Sequence, residues 1–284
     1  MGFLGKLLNV VTTLNAALPQ SKTNGASQLG LISAPVLPNF MTNNPMPNGY
    51  PWGSDTVTNT NPYRNSPNTG VTRYYTFNVS RGTLSPDGYQ KQMILVNGAF
   101  PGPTIEANWG DTIQVTVQNN IQSPAEGTSI HWHGFLQHNS QWMDGVPAFS
   151  QCPIAPGKTF TYSFKAELYG TTWYHAHYSA QYSDGVQGAM VIYGPKNRNY
   201  DIDLGPVMLS DLYHVPYLQT VNYTVMGGPP RPPPNITSDN NLINGKMAFN
   251  CSTVAAGDKT PCVNNAGVSE FKFTTGKVCE SVQA

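Results

Sequence analysis

Thr112-Ile-Gln-Val-Thr-Val117 carries an apolar side chain at every second position. That period belongs to a β-strand with one buried face and one wet face. Working outward, further runs rich in Thr, Tyr and Val predict strands at Thr72–Val79, Gln92–Val96, Ser129–His133, Thr159–Phe164, Thr172–His177 and Gly188–Tyr193. Turn residues separate them, as in Pro86-Asp87-Gly88, Asn97-Gly98, Trp109-Gly110-Asp111 and Ala155-Pro156-Gly157. Seven or so strands over roughly 125 residues predict an all-β fold, a Greek-key β-sandwich.

The composition agrees with this. Hydrophobic residues reach 39%, enough for a core, while 27 Gly and 24 Pro supply turns. Charged residues are only 11%, with 15 basic against 15 acidic. A neutral chain without a basic run has no attraction for nucleic acid or an anionic membrane surface, and neither is expected as a partner. No stretch is long and apolar enough to span a bilayer as a helix.

The chain divides by texture. Residues 1–19 read as a signal peptide, with Lys6 ahead of the mildly apolar Leu7–Leu18 and the small Ala16 and Ala17 near its end. Residues 20–70, rich in Asn, Pro, Gly, Ser and Thr, read as an extended or disordered arm. Residues 71–195 hold the predicted sandwich. Residues 196–284 offer only Val207–Leu212, Leu242-Ile-Asn-Gly245 and Glu270–Thr274 as strands, too few to close a second one. Sequons at Asn78, Asn222, Asn235 and Asn250 mark glycosylation candidates and favour a secreted protein. Cys251 and Cys262 are close enough to close a short disulfide loop, which an oxidising compartment permits. Nothing local pairs Cys152 with Cys279.

The chemistry sits in His131-Trp-His133-Gly and Trp173-Tyr-His175-Ala-His177. Residues two apart on a strand share a face, so each pair sets two imidazoles side by side, with Trp132 and Ala176 on the reverse. A lone His-x-His is often a surface coincidence. Here four of the six histidines fall into two such pairs, each flanked by β-type residues. Four converging neutral imidazoles suit Cu, Zn, Ni or Fe, and spacing alone does not choose among them. His138 is expected in a solvated loop, and His214 packed at a strand end.

Taken in order, Gly98-Ala-Phe-Pro-Gly-Pro103, Trp109-Gly-Asp-Thr112, Ser129-Ile-His-Trp-His-Gly134, Trp142-Met-Asp-Gly-Val-Pro147, Gln151-Cys-Pro-Ile154 and Gly170-Thr-Thr-Trp-Tyr-His-Ala-His-Tyr178 resemble the first cupredoxin domain of multicopper oxidases, most closely fungal, ascomycete-type laccases. The resemblance covers roughly Val71 to Val278. It implies a cupredoxin-like sandwich and copper as cofactor. In that family a type 1 copper, held by a Cys and two His, takes electrons singly from phenols. A three-copper cluster then reduces O₂ to water, held by eight histidines, four from the first domain and four from the third. By this resemblance His131 would bind the type 2 copper, His133 and His175 one type 3 copper, and His177 the other. Trp132 and Trp173 would pack around the ligands.

The same resemblance implies motifs that these residues do not contain. His-Pro-x-His-x-His-Gly and His-Cys-His, the sources of the type 1 site and the other cluster ligands, are absent, and Cys279 has no histidine near it. From about residue 279 the sequence departs from the family, and the second domain is expected to be truncated. The cysteine resembling Cys152 pairs with the far C-terminus in the family. The function expected is that of a secreted, monomeric laccase-like oxidase acting on O₂ and phenolic small molecules, represented by a portion that holds copper but does not turn over alone. The alternatives are a secreted copper-binding module without catalysis, or another multicopper oxidase such as a ferroxidase or pigment oxidase.

Overall fold

The computed structural model of the chain describes residues 30–31, 34–35, 50–196, 205–225 and 237–267. Its strands begin with β1 (Gly30–Leu31), β2 (Ala34–Pro35), β3 (Thr72–Leu84), β4 (Lys91–Val96), β5 (Ile105–Asn108), β6 (Thr112–Asn120) and β7 (Ile130–Trp132). There follow β8 (Thr159–Lys165), β9 (Gly170–Ala176), β10 (Gln187–Tyr193), β11 (Leu209–Leu212), β12 (Asn240–Ile243), β13 (Ala248–Phe249) and β14 (Asn265–Ala266). One sheet has the order β4-β3-β6-β8 and a second β5-β10-β9-β7. β3 and β6 run parallel, as do β5 and β10. The connections therefore cross between sheets, and the two together form the expected Greek-key sandwich.

The alternation in β6 does what its period requires. Ile113, Val115 and Val117 are fully buried, while Gln118 and Asn120 are exposed. The facing sheet sends Ile130, Trp132, Tyr174 and Ala176 into the same core. Each aliphatic side chain taken wholly out of water contributes about 2 kcal/mol. Trp132 meets Tyr162 edge to face at 5.1 Å and Phe164 at 5.0 Å, geometries that ring quadrupoles favour.

Three local findings differ from the sequence expectation. β5 was not expected, because Ile-Glu-Ala-Asn has neither alternation nor β-branched bulk beyond Ile105; parallel pairing to β10 makes it a strand. Helix α1 (Tyr217–Thr224) was not expected either. Its start is capped from outside, since the Tyr217 N–H donates to both Asp184 carboxylate oxygens at 3.2 and 3.1 Å. In the presumed arm, residues 50–70 hold no strand, yet Trp52 is 3% exposed and belongs to the core. Thr69 Oγ1 donates to the buried Asp111 carboxylate at 2.6 Å, which also takes Arg73 Nε at 2.7 Å. The signal segment, the strand at 270–274, Asn235 and Cys279 lie outside the described residues.

The region after 205 packs on the sandwich through Tyr217 and Val221, which join its core, and through polar contacts. β11 pairs with β12 and β13 with β14, all antiparallel. His214 stacks on Tyr89 with ring centroids 3.8 Å apart, and its Nε2 lies 3.0 Å from Asp87 Oδ2. Asn240 Nδ2 donates to the same oxygen at 3.1 Å, and the Tyr89 N–H donates to Oδ1. The expected Cys251–Cys262 disulfide forms, with Cα atoms 5.8 Å apart. Beside it, Gln90 N donates to Pro261 O at 2.9 Å.

Burial by itself would raise the Asp87 carboxyl, but the hydrogen bonds from His214, Asn240 and Tyr89 overcome it and hold the group below its ordinary value. A depressed carboxyl stabilises the fold above its unfolded pKa, about 3.9, and that stability is lost as pH falls through the lower folded value. Replacing Asp87 by Asn is expected to cost about 2 kcal/mol near neutral pH. It should also flatten the loss of stability below about pH 4. Urea unfolding of both proteins from neutral to acid pH measures this.

Candidate metal centre

β7 and β9 are antiparallel neighbours, and their register sets His131 opposite His175 and Trp132 opposite Tyr174. The ladder continues past both strand ends: His133 N donates to Trp173 O and His177 N to Ser129 O, each at 3.1 Å. Strand pleating then puts all four imidazoles on one side. From His131, ring centroids lie 5.6 Å to His133, 5.3 Å to His175 and 5.7 Å to His177. His133 and His175 are 5.6 Å apart, and His175 and His177 6.1 Å. One donor atom each from His131, His133 and His175 lies within 4.8 Å of the others. His131 and His175 are half-buried, His133 and His177 exposed.

Hydrogen bonds orient the rings. His131 Nδ1 donates to the Asp144 carbonyl oxygen at 2.7 Å, with an Asp144 carboxylate oxygen 3.2 Å from the same nitrogen. His175 Nδ1 is spent on Ala176 O at 3.0 Å. Both bonds keep the proton on Nδ1 and leave Nε2 with a free lone pair. His175 Nε2 lies 3.4 Å from His133 Nδ1. Burial pulls the His175 pKa down to about 4, against the bond to Ala176 and with charge on the other three imidazoles adding to the drop. At neutral pH the ring is an uncharged donor, as metal binding requires.

The model of a family described as multicopper oxidase matches residues 78–197. The chain is 48% identical over 227 residues to oxidoreductase OpS5 of Beauveria bassiana (strain ARSEF 2860), covering 80% of this chain and 36% of that protein. It is 40% identical over 275 residues to laccase-2 of Botryotinia fuckeliana, covering 95% of this chain and 45% of that protein. Over residues 78–197 the chain belongs to the multicopper oxidase family. Its fold is similar to the crystal structure of a laccase from Botrytis aclada, with a TM-score of 0.67 and 37% identity over 89% of this chain and 40% of the other. The sandwich is therefore of the cupredoxin kind. The chain spans between a third and a half of the length of the curated relatives named here.

Membership in the multicopper oxidases implies copper, and the residues present fit it. The donors are borderline-soft imidazole nitrogens, freed by their hydrogen bonds, with no carboxylate among the clustered donor atoms. The two remaining histidines stand apart. His138 is in an exposed turn beside Glu167, and His214 packs on Tyr89. Trp173 stacks on His175 at 4.1 Å and lies 5.4 Å from His133, so it packs directly against both imidazoles. Trp132 turns away into the core. Cys152 is exposed and free of any disulfide to a described residue.

The sequence places Asp144 and Gly145 in the Trp142–Pro147 motif but gives them no role. The acceptor for His131 is a main-chain oxygen from a loop, which no residue type announces. The available signal was Gly145, whose φ of +79° is strained for other residues. A Cβ there would also collide with the backbone of Ile130 and His131. Gly145→Ala is therefore expected to push the loop off β7, release His131 Nδ1 and weaken copper binding by about 10- to 100-fold. Isothermal titration of folded wild type and variant checks this.

Proposed function

We propose that this chain supplies the four-histidine half of the copper cluster of a laccase-type oxidase, which couples oxidation of phenolic compounds to reduction of O₂ to water. The observation that carries this is the convergence of His131, His133, His175 and His177 on one face of β7 and β9. In this reading His131 serves the type 2 copper, His133 and His175 share one type 3 copper, and His177 serves the other. The 3.4 Å approach of His133 Nδ1 to His175 Nε2 supports a shared ion. When bound, copper would supply one-electron redox steps and a place for O₂ to be reduced. The protein's own part is orientation: Asp144 fixes His131, Ala176 fixes His175, and Trp173 covers two of the rings and excludes water from that side.

The His-Pro-x-His-x-His-Gly and His-Cys-His motifs are absent from these 284 residues, and in this reading the type 1 thiolate, its two imidazoles and the remaining cluster ligands come from elsewhere. Turnover therefore belongs to an assembly that includes them. We also read the protein as secreted. The Cys251–Cys262 disulfide favours an oxidising compartment, and the sequon residues Asn78, Asn222 and Asn250 are exposed. No helix among the described residues is long and apolar enough to cross a membrane.

Titrated with copper, these 284 residues are expected to bind the metal without intense blue colour, because that colour needs a copper–thiolate bond. The double variant His131→Ala, His177→Ala should lose the binding. A blue protein, or a double variant that binds as well as wild type, would overturn the assignment.

A further inference from the structure

Asn250-Cys251-Ser252 is a sequon whose middle residue is also half of a disulfide. In the folded loop Cys251–Thr253 form one 3₁₀ turn capped by Asn250, whose Oδ1 accepts the Ser252 N–H at 3.1 Å. The Asn250 carbonyl oxygen takes both the Thr253 N–H at 3.0 Å and the Thr253 hydroxyl at 2.7 Å. The turn is also pinned from outside. The Cys251 N–H donates to Asn264 Oδ1 at 2.7 Å, and the disulfide fastens Cys251 to Cys262, which pairs with Tyr89 just ahead of β4. Asn250 and Ser252 are nevertheless exposed.

We propose that Asn250 is a glycosylation site whose occupancy is set by a race with the Cys251–Cys262 disulfide. The inference rests on the reading that the protein enters an oxidising secretory compartment. Sugar transfer joins Asn250 Nδ2 to the anomeric carbon of a lipid-pyrophosphate-linked oligosaccharide; the bond to pyrophosphate breaks and the amide loses one proton. The acceptor must be an open chain in which the Ser252 hydroxyl reaches the Asn250 amide. Closing the disulfide passes two electrons and two protons from the two thiols to the disulfide of an oxidoreductase. It also winds the sequon into the pinned turn, out of a transferase's reach. Order therefore decides the outcome. Sugar first still permits closure, because Asn250 faces solvent and its Oδ1 remains free to accept from Ser252. Closure first forbids the sugar. Cys262 lies 11 residues downstream, so the pair cannot close until that stretch has been made. The sequons at Asn78 and Asn222 have Val79 and Tyr223 in the middle and face no such competitor.

The test expresses the full chain in yeast behind a foreign signal sequence, so that entry to the secretory compartment does not depend on residues 1–19. Occupancy at each sequon is read by mass spectrometry after treatment with peptide N-glycosidase, which converts a sugar-bearing Asn to Asp. Wild type is expected to carry sugar at Asn250 on only a fraction of molecules. Cys262→Ala and Cys251→Ser both keep the sequon, and each should raise that fraction about threefold, as should dithiothreitol during synthesis. Occupancy at Asn78 and Asn222 should stay unchanged. Cys251→Ser also removes the thiol from the sequon, so no other cysteine can stand in for Cys262. Sugar transfer precedes folding, so a variant that fails to fold still reports it. Unchanged Asn250 occupancy in both variants, or an equal rise at Asn78 and Asn222, would overturn the inference. A chain retained in the cytosol when it carries only its own 284 residues would sink the secretion reading, while a race seen behind the foreign signal would stand.

Discussion

His131 faces His175 because Trp132 faces Tyr174. The two pairs are consecutive rungs of one antiparallel ladder, and both aromatic side chains are completely buried. A strand slipped by one residue turns every side chain over. In β7 that would drive His131 and His133 into the core and lift Trp132 into water. Losing the packing of one large aromatic costs about 3–5 kcal/mol, several times the gain from any single imidazole contact. The hydrophobic core thus sets the position of the four imidazoles. The four rings are gathered on one face by the fold itself, and their ordering cost is met by folding.

A similar economy governs the few charges. Only 11% of the residues are charged, yet several are buried, and each of these closes a join between elements. Asp111 ties Thr69 and Arg73 to the start of β6. Glu126 accepts from Arg81, Gln181 and the Tyr217 hydroxyl, which burial raises to about 12. Asp184 lies 2.6 Å from Lys91 Nζ and caps α1. Asp87 gathers His214, Asn240 and Tyr89. Three of these four carboxylates hold the region after residue 205 against the sandwich, beside the apolar contact that Tyr217 and Val221 make with its core. A buried carboxylate stripped of its partners costs several kcal/mol, so such a join tolerates little slippage.

The parts legible in the sequence are those governed by a local period. Alternation in Thr112–Val117 gave the sandwich, and two His-x-His repeats on strands gave the ligand face, because pleating leaves no freedom in which side a residue takes. What stayed hidden depends on contacts between distant residues. Strand β5 exists through its parallel partner β10, and α1 starts where a carboxylate 33 positions earlier meets its first N–H. Trp52 lies in a stretch whose Asn, Pro and Ser content reads as solvated, and one large ring was enough to bind it to the core. Asp144 is the sharpest case. Its working atom toward His131 is a carbonyl oxygen, which every residue possesses, so the Trp142–Pro147 motif marks the loop but not the contact.

Trp173 joins the two chemical regions of the molecule. Its indole stacks on His175 and also lines a cleft of about 490 Å³ on the flank of β9, so anything that reorients it is felt on both sides. Its backbone carbonyl accepts from His133, which anchors it to the ladder that sets the ligand register. Thr172, beside it, donates its hydroxyl to His133 O at 2.6 Å and stiffens the same corner. A ring held by main-chain pairing at its base and by an imidazole on its face has little freedom to swing.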